Sequence, residues 1–169
     1  VDPLAHASIA LMAKPIAPKA PLWLLVAATQ VPDLLSFGFM ALGIEHGADT
    51  QMDFQHGLRY LSTPSIAWSH GLFMGIVWSV VVAAIAFLLL RSRRTSIVAG
   101  LMVVSHFLLD FIVYFHIPVL FDNSLSTGLG LITTPFGLIT GILMEFVLIG
   151  GGIAVYWTTR RRSVQSQKA

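Results

Sequence analysis

The sequence predicts an all-α integral membrane protein, with four transmembrane helices preceded by a short N-terminal half-helix or re-entrant segment. Three observations carry that prediction. Of 169 residues, 56% are hydrophobic and 11% charged, with a mean hydropathy of +0.80; a soluble domain has roughly a quarter charged residues. Four apolar runs reach the roughly 20 residues that a helix needs to cross a bilayer. The basic residues cluster in alternate connections between those runs. This composition excludes a disordered chain, a nucleic-acid binder and an ordinary cytosolic enzyme. The length suits one transmembrane domain, residues 1–162, with 163–169 expected as a disordered cytoplasmic tail. Cysteine is absent, which excludes disulfides, thiolate metal sites and a cysteine nucleophile.

Residues 3–13 are apolar but too short to span. The segment ends at Lys14-Pro15-Ile16-Ala17-Pro18-Lys19-Ala20-Pro21, whose prolines cannot continue a helix. A half-helix or re-entrant piece fits it better than a cleaved signal peptide, because no basic region precedes the apolar run. The spans are expected at about 21–43, 65–90, 95–115 and 136–157. Pro32 should bend the first. The second ends in an unbroken apolar run, 83–90, suited to lipid contact. The fourth carries Gly137, Gly141, Gly150, Gly151 and Gly152, and small residues let membrane helices approach closely. That places it inside the bundle.

Lys14 and Lys19 precede the first span, and Arg91, Arg93 and Arg94 join the second to the third. Arg160, Arg161, Arg162 and Lys168 follow the fourth. The other two connections, 44–64 and 116–135, hold Arg59 as their one basic residue beside Glu45, Asp49, Asp53 and Asp122. The positive-inside rule then puts both termini in the cytoplasm and those two loops outside.

Candidate chemistry lies in ionisable groups that an apolar span does not require. These are Asp33 in the first span, His70 in the second, His106 and Asp110 in the third, and Glu145 in the fourth. Such residues cost at least a few kcal/mol in the bilayer, so they face the bundle interior and pair or bind something. Counting about 1.5 Å per residue puts Asp33, His106 and Glu145 roughly 14 Å below the outer boundary, and His70 and Asp110 roughly 8 Å. His6 would reach roughly 12 Å from the inner side if its segment rises into the membrane; a surface-lying amphipathic helix is the rival reading. His106 and Asp110 stand i, i+4 on one helix face, a spacing that can hold one ion, or that lets Asp110 orient the imidazole. Asp33 could equally be structural at the proline bend, His70 an interfacial residue, and Glu145 a protonated helix-bridging acid. Histidine plus carboxylate without cysteine suits one divalent ion, zinc first, manganese or iron next. Glu45, His46, Asp49, Asp53, His56 and His116 lie in the loops as reserve candidates, with solvation the default.

This arrangement resembles the predicted membrane-bound metal-dependent hydrolases of bacterial inner membranes. The residues concerned are His6, Pro32-Asp33, Ser69-His70 and Ser105-His106-Phe107-Leu108-Leu109-Asp110. Leu42-Gly43-Ile44-Glu45-His46 and Gly128-Leu129-Gly130-Leu131 resemble a small branch of that family, sometimes labelled permeases. Where the broader family tends to have Pro-Asp-x-Asp, Leu35 fills the second acidic place. Its His-Arg-x-x-Thr-His-Ser is here Ser65-Ile66-Ala67-Trp68-Ser69-His70-Gly71, with the second histidine alone kept. The loss of one aspartate and one histidine favours a single ion.

The resemblance implies an inner-membrane enzyme with metal ligands drawn from His6, Asp33, His70, His106 and Asp110. Asp33 would be ligand or general base; Glu145, outside the motifs that carry the resemblance, is expected on the residues alone as a proton shuttle. A site about a dozen ångströms deep suits a lipid or lipid-linked ester or phosphoester. A small transporter with a buried His/carboxylate relay, needing a homo-oligomer to form a pathway, is the second expectation. A scaffold whose polar residues only join helices is the third.

Overall fold

The computed structural model describes residues 3–53, 56–121 and 125–166, and helices dominate it. They are α1 (Pro3–Ala13), α2 (Leu22–Thr29), α3 (Val31–Ala41), α4 (Ala67–His70), α5 (Leu72–Leu90), α6 (Arg93–Val113) and α7 (Gly137–Ser166). The two long connections carry small antiparallel hairpins. The first pairs β1 (Thr50–Asp53) with β2 (Gly57–Tyr60), and the second pairs β3 (Ile117–Pro118) with β4 (Ser126–Thr127). A 3-10 turn, Leu131–Thr133, leads into α7. Among the described residues three helices are long and apolar enough to cross a membrane, and α2 with α3, bent by 49°, pass the same test together as a broken span or re-entrant loop. The chain is an all-α membrane protein.

Helix α6 is the centre of the bundle. More than half of its apolar stretch, 56%, is buried in protein, against 17% for α5 and 6% for α7. Ser92 caps its first turn, accepting from the Thr95 N–H. Helix α5 returns along it, and Gly100 allows the approach: the Ser79 hydroxyl donates to the Gly100 carbonyl at 2.9 Å. The outer side of α5 is apolar and open, with Val80, Ile85, Leu88 and Leu89 all exposed, as a lipid-facing run requires.

The first span is broken rather than gently bent. Pro32 has no N–H for the carbonyl four residues before it, and its ring clashes there, so the helix ends at Thr29 and restarts at Val31 with a 49° change of direction. Proline in the first turn suits the new helix, and Asp33 beside it meets the positive end of the helix dipole. The second span is also shorter than expected. Gly71 is extended (φ −70°, ψ 144°), and the chain before it forms the separate turn α4, so His70 stands on a short turn outside the spanning helix. The Trp78 indole N–H donates to the Trp68 carbonyl at 2.8 Å and ties that turn to α5.

Helix α1 packs against α7, α2 and α6, burying Ala5, His6, Ser8, Ala10 and Ala13, so it is a half-helix within the bundle. The glycine-rich helix α7 corrects the expectation of an interior position. It lies at the rim, and its Gly151–Gly152 face meets α1 closely. A Cβ on Gly152 would fall 2.7 Å from the Ser8 carbonyl oxygen, whereas Gly141 and Gly150 face open space. α7 also continues to Ser166, which makes 163–166 helical where a disordered tail is expected; 167–169 lie outside the described residues.

Candidate metal centre

Side chains from α1, α3, α4 and α6 meet beside the break in the first span. His106 and Asp110 project from one face of α6, their i, i+4 spacing bringing Nε2 and Oδ2 to 3.2 Å. The α2–α3 break swings Asp33 toward them, with its Oδ1 3.6 Å from His106 Nε2 and 3.4 Å from His70 Nε2. His70, at the end of α4, places Nε2 3.3 Å from His106 Nε2 and 3.8 Å from Asp110 Oδ2. His6 stacks on His106, ring centroids 3.7 Å apart, and its Nε2 lies 3.4 Å from Asp110 Oδ1. Two ligand groups result, His6–His106–Asp110 and Asp33–His70–His106, which share His106.

Partners outside the cluster fix which nitrogens face into it. His106 Nδ1 lies 2.7 Å from the Thr29 carbonyl oxygen, which only accepts, so Nδ1 carries a proton, and in the neutral ring that a metal requires, Nε2 offers the lone pair. That carbonyl is available because α2 ends there. His70 Nδ1 lies 2.8 Å from Ser69 Oγ, which is itself 2.7 Å from Glu45 Oε2. The serine has one proton and the carboxylate accepts it, so Oγ accepts from His70 Nδ1–H. Both imidazoles therefore turn lone pairs toward each other and toward two carboxylates. These separations of 3.2 to 3.8 Å exceed good charge-assisted hydrogen bonds. They lie close to the roughly 3.3 Å edge of a tetrahedron of ligands about 2.0–2.1 Å from one ion. His6 Nδ1 is buried with no hydrogen-bond partner among the described residues, uncommon for a purely structural histidine.

Exposure grades across the site. The side chains of His106 and Asp110 are 1% and 5% exposed, His70 13% and Asp33 30%. The open side meets a cavity of about 380 Å³, lined also by Met40, Leu58, Tyr60, Pro64, Tyr114, His116 and Ile117. Burial pushes the Tyr60 hydroxyl above the ordinary tyrosine range, the charge of Asp110 adds to this, and a hydrogen bond from the Phe115 backbone opposes it. Tyr60 meets the His116 ring edge-on at 4.9 Å.

His6, Asp33, His70, His106 and Asp110 thus share one place. Glu145 stands elsewhere. It lines a second cavity of about 330 Å³ with Leu138, Gly141 and Ile142, and Tyr114 borders both spaces. Glu145→Gln is accordingly expected to leave the metal content unchanged, as elemental analysis of the purified variant would show. Among the loop residues, His46 pairs through its backbone with Ser65, and Asp49 donates its N–H to Ser62 Oγ; both are exposed, as is His56. The Asp53 side chain and Asp122 lie outside the described residues.

Glu45, a reserve candidate for which a solvated loop position is the default expectation, is buried instead. It is 3% exposed, and it accepts from both the N–H and the hydroxyl of Ser69, 24 positions along the chain. Helical or strand periodicity cannot report a contact of that separation. Its place just past the turn that follows α3, one residue before His46, is a local signal. No protein-family model, curated protein or solved structure matches the chain.

Proposed function

We propose that the protein is a metal-dependent hydrolase of a bacterial inner membrane, acting on an ester of a lipid or lipid-linked compound from the outer half of the bilayer. The observation that carries this reading is the set of inward-facing lone pairs. Two imidazole Nε2 atoms and two carboxylates point at one spot. Two carboxylates and two imidazoles match a divalent cation, zinc by ligand type. The basic clusters support cytoplasmic termini and a site near the outer surface.

His106, His70 and Asp110 would hold the ion on the buried side. Asp33, the most exposed member, can either complete the set or take the proton of an attacking water. When bound, the ion would supply Lewis-acid polarisation and a water of lowered pKa. Tyr60, kept protonated by its burial, can donate a hydrogen bond to a substrate oxygen in the cavity. The lining contains no lysine or arginine among the described residues, while Met40, Leu58, Pro64, Ile66 and Ile117 give it apolar walls. A carboxylic ester suits such walls better than a phosphate dianion, which basic side chains ordinarily clamp.

The test is turnover in detergent micelles. Purified protein loaded with zinc should release fatty acid from acyl esters, lose that activity on chelation and regain it with zinc. The broken α2–α3 span favours a second reading, because transporters build ion sites at interrupted helices. Zinc or proton flux into proteoliposomes, without ester turnover, would replace the hydrolase reading with that one.

A further inference from the structure

We propose that Glu45 is a positioning residue that sets the tautomer of His70 through Ser69, and so decides whether His70 can act as a ligand. The inference rests on the metal-centre reading and concerns residues on the far side of His70 from the cluster. A carboxylate as buried as Glu45 needs hydrogen bonds to both oxygens, and Ser69 supplies them at 2.8 Å from its N–H and 2.7 Å from its hydroxyl. The opposite arrangement, with the hydroxyl donating to His70 Nδ1, would set Ser69 Oγ and Glu45 Oε2 face to face at 2.7 Å with no proton between them. Glu45 therefore orients the serine, the serine receives Nδ1–H, and the His70 lone pair is left at Nε2, 3.4 Å from Asp33 and 3.3 Å from His106. Outer partners of this kind fix ring orientation and ligand basicity in metal sites. His106 reaches the same state through a backbone carbonyl, which no side-chain substitution removes.

Glu45→Gln keeps the shape and reverses the chain. The Ser69 N–H can only donate, so it takes the amide oxygen, and the amide NH₂ is left facing Ser69 Oγ. The hydroxyl then turns to His70 Nδ1 at 2.8 Å, a nearer acceptor than the Ile66 carbonyl at 3.5 Å, which moves the ring proton to Nε2, inside the cluster. Histidine ¹⁵N NMR on metal-free protein in micelles reads this directly, and a competition titration with zinc reads its consequence. Wild type should show His70 protonated at Nδ1, and Glu45→Gln should show it at Nε2 with His106 unchanged. Zinc affinity should fall roughly 10–100-fold. Ser69→Ala should weaken zinc binding to a similar degree, and Ser69→Thr should restore it. A wild-type His70 protonated at Nε2, or a Glu45→Gln protein with wild-type tautomer and affinity, overturns the proposal. If the tautomer shifts as described while neither protein binds zinc, the positioning role stands and the metal reading fails.

Discussion

Replacing His106 by alanine is expected to remove bound metal entirely. Its Nε2 is the one donor atom common to both ligand groups, within 3.2 to 3.6 Å of Asp110, His70 and Asp33. Its loss leaves Asp33 with His70 and His6 with Asp110, and the link that remains between the pairs is the 3.8 Å approach of His70 Nε2 to Asp110 Oδ2, the longest in the cluster. Affinity should fall by more than the roughly 10–100-fold seen for outer partners. Stability should fall too, since the ring is buried, stacks on His6 and satisfies the Thr29 carbonyl. Elemental analysis of the variant beside wild type reads the first effect and thermal unfolding the second. His46→Ala, which removes an exposed side chain, is the control and should retain wild-type metal. Full metal content in His106→Ala would place any bound ion elsewhere.

Gly152→Val should disable the centre from a helix that supplies none of the clustered ligands. A side chain there would collide with the Ser8 carbonyl and side chain, pushing α1 away from α7. Overpacking of this kind typically costs about 1–3 kcal/mol. The collision comes two residues after His6, so the stack on His106 and the contact with Asp110 should open with it. Zinc affinity is expected to drop at least tenfold, together with a lower unfolding temperature. Gly150→Ala, on the same helix but facing open space, should change neither. Equal affinity in Gly152→Val would mean that α1 carries no part of the metal site.

Fold class was legible because the bilayer imposes its demands on composition, run length and charge placement, all visible without coordinates. The span expected at 95–115 forms as Arg93–Val113. Less legible were the breaks. Pro32 announced a bend but not a complete interruption, and the extended backbone at Gly71 splits α4 from α5 with no proline to mark it. Glycine is ambiguous in membrane helices: Gly151 and Gly152 form a contact face, while Gly150 faces outward and Gly141 borders the Glu145 cavity. That ambiguity put α7 in the wrong place.

The candidate site divides in the same way. Height along a helix can be counted from residue number, and the i, i+4 spacing gives His106 and Asp110 a common face. Azimuth cannot be counted between separate helices, so Glu145, at a similar expected depth, borders a different cavity from Asp33. His6 came within reach because α1 folds into the bundle rather than along its surface. Glu45 looked like a solvated loop acid because burial by a serine 24 residues away leaves no periodic trace.

X-ray absorption at the zinc edge of the purified, zinc-loaded protein is the most direct measurement. One ion per chain is expected, with nitrogen and oxygen neighbours at about 2.0–2.2 Å and the outer scattering of two or more imidazoles. That imidazole signal should diminish in His70→Ala. A protein that retains no zinc, or holds it through oxygen ligands with no imidazole scattering, would contradict a metal centre built from these side chains.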